Sequence, residues 1–263
     1  PVDGYGRVDL DALRTLLAAS GDAAALVSVM AANNETGVVQ PIAEIAAICR
    51  EAGALLHVDA IQAAGRMILG DVVAVADMVS LSAHKIGGPA GSGALIVRPA
   101  LQIAPMIVGG GQESWRRAGT ENLIGIVGFG AAAEATLIGL EAGIEQMKRM
   151  QQALEAGLRA VCPTVEVMGD GVTRLPNTTC VRMPGVAAET QVMALDLAGI
   201  AVSAGSACSS GKVTPSHVLT AMGQSLETAT EAIRVSTGWT TTAEDIDALL
   251  SAWSDLWNRK RAA

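Results

Sequence analysis

Leu55-Leu-His-Val-Asp59 and Met78-Val-Ser-Leu-Ser82-Ala-His-Lys85 are the stretches on which the reading of the fold turns. Each is a short apolar run that ends in polar residues, the pattern of a strand buried in a sheet. A third run, Ala25-Leu-Val-Ser-Val-Met30, precedes them. Between the runs lie helical patterns: Asp9 to Ala19, and a helix opened by Pro41 with Ile42, Ile45, Ala46 and Cys49 at helical spacing, closed before Gly53. Strands alternating with helices predict an α/β fold, three layers around a mostly parallel sheet. Gly93-Ala-Leu-Ile-Val97 adds a further strand after the glycine-rich connection Gly87-Gly-Pro-Ala-Gly-Ser-Gly93.

Beyond a loop at Gly109 to Thr120, the chain from about Gly125 to Val161 reads as one long Ala-rich helical stretch. Short strands at Val165 to Met168 and Thr178 to Met183 follow, then a helix near Thr190 to Leu197, a Gly/Ser-rich loop from Ser203 to Gly211, and further helices. This change of character predicts two domains, a large one over residues 1–136 and a smaller α+β one over 137–263.

The bulk properties narrow the function. At 263 residues, half hydrophobic and 17% charged, the chain can bury a sizeable core. Its net charge of -8, with no basic run before Arg259-Lys-Arg261, offers no footprint for a nucleic-acid backbone. Apolar stretches stop well short of the roughly 20 residues that span a bilayer, so no membrane span is expected. Four cysteines, Cys49, Cys162, Cys180 and Cys208, stand far apart with no Cys-x-x-Cys pair, which argues against a zinc site or a disulfide scaffold and for a reducing, cytoplasmic setting.

In parallel sheets functional groups gather beyond the carboxyl ends of the strands. Here two strand ends present a carboxylate, Asp59, and an amine, Lys85. A pyridoxal-phosphate enzyme needs this pair: a lysine to hold the cofactor aldehyde and a carboxylate to keep the pyridine nitrogen protonated. Ser82 and His84 beside Lys85 are donors suited to phosphate oxygens, and Gly87 and Gly88 allow close backbone approach. Gln62 lies just past Asp59, and Asn33-Asn-Glu-Thr-Gly37 ends the first strand with amides that can bond a ring hydroxyl or a carboxylate.

Five blocks, Asn33-Asn-Glu-Thr-Gly37, His57-Val-Asp-Ala-Ile-Gln62, Ser82-Ala-His-Lys85, Gly109-Gly-Gly-Gln-Glu113 with Arg117-Ala-Gly-Thr120, and Ser203-Ala-Gly-Ser-Ala-Cys-Ser-Ser-Gly211, resemble in order and spacing the NifS/IscS type of cysteine desulfurase in the class V aminotransferase superfamily. The resemblance implies a pyridoxal 5'-phosphate cofactor with Lys85 as its covalent anchor, Asp59 at the pyridine nitrogen, Gln62 and Asn34 near the ring oxygen, and Ser82, His84 and Thr120 on the phosphate. It implies Arg234, assisted by Asn34, as the anchor of the substrate carboxylate, a task suited to a bidentate guanidinium. Cys208 matches the nucleophile that takes sulfur from L-cysteine as a persulfide, leaving L-alanine. A homodimer, with Thr120 reaching the neighbouring subunit's site, and a sulfur acceptor such as an iron–sulfur scaffold are implied as partners.

Members of that family also carry a segment ahead of the part that aligns with Val2 onward. That segment supplies a phosphate-cradling turn and a histidine that stacks on the cofactor, so this chain is expected to be a larger C-terminal portion that retains cofactor weakly by itself. Two other readings use the same residues: another class V aminotransferase or lyase, which would not need Cys208, and a cofactor-free scaffold for sulfur-transfer partners.

Other residues carry structural readings. Cys49 falls on an apolar helix face, Cys180 in a strand and Cys162 before Pro163, positions where free cysteine is a small hydrophobe. His57 alternates with Asp59 and reads as a core histidine with a satisfied ring; His217, at a helix start, reads as capping or packing, and Trp115 as a loop anchor.

Overall fold

A computed structural model describes residues 1–21, 23–205 and 215–262. In chain order the elements of the first half are α1 (Leu10–Ala19), β1 (Leu26–Met30), α2 (Ile42–Glu51), β2 (Leu55–Asp59), α3 (Gly70–Val75), β3 (Met78–Ser82), β4 (Gly93–Val97) and α4 (Leu123–Ile138). Then come α5 (Leu140–Val161), β5 (Glu166–Val167), β6 (Thr178–Arg182), α6 (Ala188–Leu197), β7 (Ser203–Ala204), α7 (His217–Ala221), α8 (Leu226–Glu231), β8 (Ala232–Ser236) and α9 (Ala243–Ala262). Two compact units emerge: one of Leu13–Ala31 and Pro41–Leu140, the other of Pro1–Ala12, Ala32–Gln40 and Glu141–Ala263.

The first unit is a mixed α/β sheet in the order β1-β2-β3-β4, with β1, β2 and β3 parallel and β4 antiparallel. Val27, Leu56, Val58 and Val79 are buried in it together with Ile42, Ile45, Ile48 and Cys49 of α2 and Val72 of α3. The Asp77 carboxylate fixes the strands at their starts, because Oδ2 accepts the Leu56 N–H at 2.8 Å while Oδ1 pairs with Arg98 at 2.9 Å beyond β4. The edge strand β4 is largely exposed, Leu95 and Ile96 included.

The helical stretch expected from Gly125 to Val161 is broken. Gly139 adopts φ -111° and ψ 11°, so α4 ends at Ile138 and α5 starts afresh at Leu140. Glycine loses more freedom than any residue when held in a helix, which makes it the natural break point. The helix before the break, α4, leaves Leu123, Ile124, Val127, Leu137 and Ile138 exposed. No single helix among the described residues is long and apolar enough to cross a membrane.

The second unit has an antiparallel sheet, β5-β6-β8-β7, covered by α5, α6 and α9. Leu154, Leu158, Val181, Met183, Leu195, Ile233 and Trp253 form its fully buried centre. The unit also takes in residues 32–40, so its composition differs from the expected 137–263 segment. Val39 N donates to Thr173 O at 2.9 Å and Leu175 N to Gly37 O at 2.7 Å, stitching that segment to the chain before β6. Gly37, at φ 74°, lies so close to Thr178 that an added Cβ would sit 3.0 Å from the Thr178 Cβ. The Gln40 side chain then ties in the first residues, accepting from Val8 N at 2.8 Å and donating to Gly6 O at 2.9 Å.

Trp253 is 0% exposed, and its indole N–H has no hydrogen-bond partner among the described residues. Trp253→Ala should therefore cost about 3–5 kcal/mol of unfolding free energy by chemical denaturation. Trp253→Phe keeps much of the volume and removes the unpaired N–H, so it should cost clearly less. Equal losses would contradict this account of the core.

Candidate active site

The parallel pairing brings the chemistry-bearing strand ends side by side. Met30 is in register with Asp59, and Asp59 with Ser80, so β3 runs two residues past the end of β2 and the turns that follow both strands leave from one edge of the sheet. Asp59 is half-buried; its Oδ1 accepts the Ile61 N–H at 2.9 Å, and its other oxygen has no partner among the described residues. Two residues earlier on the same face, the His57 ring is held at both nitrogens, Nδ1 to Ser28 Oγ and Nε2 to Ser80 Oγ, each at 2.7 Å. That row of side chains across three strands fixes the sheet face on which Asp59 stands.

After β3 the chain makes a short 3-10 turn, Ala83–Ile86, closed by Gly87 at φ 87°. Lys85 lies in it, partly buried, and its ammonium has no hydrogen-bond or ion-pair partner among the described residues. Ser82 Oγ and His84 Nδ1 lie 2.8 Å apart. Whichever of the two donates in that bond, one hydrogen remains for a further acceptor, on the imidazole in one case and on the hydroxyl in the other. Gly88 closes the turn through its N–H to Ala83 O at 2.9 Å, and a Cβ there would meet the Ala83 Cβ at 3.0 Å, so the tight turn excludes a side chain. Gln62 stands partly buried three residues past Asp59. Thr120 is exposed on the loop before α4 and makes no hydrogen bond to this group among the described residues.

The second unit holds the other expected residues. Arg234, on β8, donates through Nη1 to the backbone carbonyl of Asn34 at 2.8 Å and through Nη2 to Ser203 Oγ at 3.3 Å; its Nε is buried without a partner among the described residues. The link to Asn34 is thus through its backbone. The turn is set by Asn33, whose Oδ1 accepts from the N–H of Glu35 at 2.8 Å and of Thr36 at 3.0 Å. Asn33 therefore serves the turn itself. Cys208 lies outside the described residues.

The family model described as "Aminotransferase class-V" matches residues 1–249. The chain belongs to the class-V aminotransferase family. A cysteine desulfurase of Trichormus azollae is 45% identical over 99% of this chain, and one of Cereibacter sphaeroides is 46% identical over all of it. Among solved structures, a NifS-like protein from Rickettsia africae superimposes with a TM-score of 0.89 at 39% identity, covering 98% of this chain and 68% of that one. The chain spans 64% of the length of the Trichormus azollae relative and 66% of the Cereibacter sphaeroides one. The class-V fold accounts for the mixed sheet with its chemistry at the strand ends.

Sequence reasoning passed over several residues that support these groups. Glu35 is buried at 3% exposure, and its carboxylate accepts the Ser216 hydroxyl at 2.5 Å across 181 positions of sequence. Ser216 caps α7 by accepting the Leu219 N–H at 3.2 Å. The turn that holds Arg234 thus also holds the start of α7. Ser203, at the head of the Gly/Ser-rich loop, bonds Arg234. The only hint in the sequence was the placing of Glu35 and Ser203 inside the resembling blocks.

Cys49, Cys162 and Cys180 are buried. Burial pushes the Cys180 thiol up to about 12, the charge of Glu35 adding to the effect and Arg234 and Arg174 opposing it. Burial, with Asp77, also raises Cys49. The thiolate is the reactive form, so Cys180 and Cys49 are protected both by access and by protonation, and Cys162 by its burial. Maleimide treatment of the native protein, followed by peptide mapping, should leave all three unlabelled until a denaturant is added. Native-state labelling of Cys180 would contradict this picture.

Proposed function

We propose that the full-length protein is a pyridoxal-phosphate-dependent cysteine desulfurase. It converts L-cysteine to L-alanine and passes the sulfur to Cys208. The observation that carries the reading is the pair of Asp59, one carboxylate oxygen of which has no partner among the described residues, and Lys85, whose ammonium has none there either, at and just beyond the ends of adjacent parallel strands. An ordinary structural carboxylate or lysine is bonded to its neighbours or fully solvated. Here both are partly buried, with one Asp59 oxygen and the Lys85 ammonium unpartnered among the described residues, and the hydroxyl of Ser82, the imidazole of His84 and the amide of Gln62 neighbour them in the chain, a donor set that fits a phosphorylated pyridine aldehyde.

Lys85 would hold the cofactor, Asp59 would keep a proton on its pyridine nitrogen, and Ser82, His84 and Thr120 would donate to its phosphate, with Gln62 and Asn34 near the ring oxygen. When bound, the cofactor supplies an electron sink that acidifies the substrate Cα proton and weakens the Cβ–sulfur bond. Arg234, its guanidinium oriented by the Asn34 carbonyl and Ser203, anchors the substrate carboxylate. Lys85 Nζ, once displaced by the substrate amine, takes up the Cα proton. The Cys208 thiolate attacks the substrate sulfur: the Cβ–sulfur bond breaks, a sulfur–sulfur bond forms, the electron pair left on Cβ is protonated, and return of a proton to Cα by Lys85 gives alanine. Carbon is reduced as sulfur is oxidised, so the step balances without an external redox partner.

The wider reading follows from the resemblance. We place the protein in a reducing cytoplasm, as a homodimer in which Thr120 serves the neighbouring subunit. The exposed apolar side of α4, which begins three residues after Thr120, supports that arrangement. An acceptor such as an iron–sulfur scaffold would take the persulfide sulfur, and the two domains of the sequence reading, 1–136 and 137–263, would carry cofactor and cysteine respectively.

In the full-length protein loaded with cofactor, L-cysteine should yield alanine and sulfur in equal amounts. Cys208→Ala should abolish sulfur transfer while the absorbance of the lysine-bound cofactor stays intact, and Lys85→Ala should remove that band and lower turnover by about 10^2–10^4-fold or more. Alanine formation unaffected by Cys208→Ala would point to another class V lyase. Failure of the parent protein to form the band at all would favour a cofactor-free scaffold.

A further inference from the structure

Arg66 is a cation with no carboxylate partner among the described residues. Among the described residues its guanidinium makes three hydrogen bonds, all to backbone carbonyls: Nη1 to Gln62 O and to Ala64 O, each at 3.2 Å, and Nη2 to Lys85 O at 3.1 Å. It is partly buried, and burial pushes its pKa down from the usual arginine value. A guanidinium taken out of water without a counter-ion is costly unless each of its donors meets an acceptor. The return for that cost lies in what the acceptors belong to. Gln62 and Ala64 are on the turn leaving β2, directly after Asp59, and Lys85 is on the turn leaving β3.

A second observation brings the same two turns together. Gly65, at φ 74°, lies so close to the β3 turn that an added Cβ would stand 3.3 Å from Ile86 Cγ2, and 3.1 Å from Thr136 Cγ2 on α4. Glycine at position 65 permits the approach, and arginine at 66 fastens it. The β2–β3 ladder ends in register at Asp59 and Ser80, so beyond it the backbone pairing of these two strands no longer holds the chain ends. Past that point Arg66 is the side chain that bonds both turns.

We propose that Arg66 is a positioning residue, which sets the separation between the carboxylate of Asp59 and the amine of Lys85 by clamping the backbone of their two turns. The inference rests on the functional reading of those two groups. A lysine cannot substitute fully, because its ammonium is a point donor on a flexible stem and the clamp needs a planar fork reaching in two directions. The same clamp places a fixed positive charge beside the Lys85 backbone, so its loss changes both the geometry and the electrostatics around the Lys85 amine.

The test uses the full-length, cofactor-loaded enzyme with Arg66→Met and Arg66→Lys. Arg98→Met serves as a control, since Arg98 binds Asp77 at the opposite end of the strands. The readouts are the pH midpoint of the absorbance band of the lysine-bound cofactor, the rate of cofactor loss on dilution, and the melting temperature. Arg66→Met should displace the midpoint and speed cofactor loss by about tenfold or more, as expected when a group that holds a site residue in place is removed. Arg66→Lys should fall between it and the parent, and millimolar methylguanidinium should partly restore Arg66→Met. Arg98→Met should lower the melting temperature without moving the midpoint. Should the Arg66 variants fail to fold, Gly65→Ala, which pushes Ile86 away while keeping Arg66, should move the midpoint in the same way. An unchanged midpoint and loss rate in the folded variants would overturn the proposal, even with a lower melting temperature. The band of the unsubstituted enzyme reads the assignment of Lys85 separately: if it is present and the variants do not shift it, the clamp fails and the functional reading stands.

Discussion

The register between β2 and β3 is the constraint on which the rest of the structure depends. Asp77 sets it from the strand starts by exchanging bonds with Leu56, its Oδ2 taking the Leu56 N–H while its own N–H gives to the Leu56 carbonyl at 2.9 Å. A slip by one residue would turn every side chain of β2 to the opposite face of the sheet. Val58 would leave the core, and Asp59 would leave the face where His57 is held between two serines. Because the strands are parallel, fixing their starts also fixes where their ends fall, and the two turns that carry Asp59 and Lys85 emerge together.

In the second unit the turn from Asn33 to Gly37 has a comparable part. Its internal bonds to the Asn33 side chain hold the backbone so that the Asn34 carbonyl meets Arg234 and the Glu35 carboxylate meets Ser216. One five-residue turn thus orients a guanidinium and pins the start of α7.

Much of this could be read from the sequence. The three parallel strands and α2 show as apolar runs and helical spacing because those patterns are purely local, although only Val27, Leu56, Val58 and Val79 of the strands are buried. What escaped was non-local or turned on a single residue. Residues 32–40 join the second unit through bonds to Thr173 and Leu175, which no nearby residue signals. The long helix breaks at one glycine. The strand β8 was hidden because Ala232-Ile-Arg-Val-Ser236 follows helix α8 without a turn and carries Arg234 at its centre, where further helices were expected. The residues proposed for the site, Asp59 and Lys85, drew notice in the sequence because they stand at and just beyond strand ends. Their supports did not: Arg66 binds carbonyls, and Glu35 meets a serine 181 positions away.

The central claim is that Lys85 carries the cofactor, and the most direct test is to reduce the loaded full-length protein with borohydride and map the modified peptide. The chain has four lysines, Lys85, Lys148, Lys212 and Lys260. The account predicts a phosphopyridoxyl group on Lys85 and on none of the others. Its appearance on Lys148, Lys212 or Lys260 with Lys85 unmodified would contradict the assignment of the strand ends as the site.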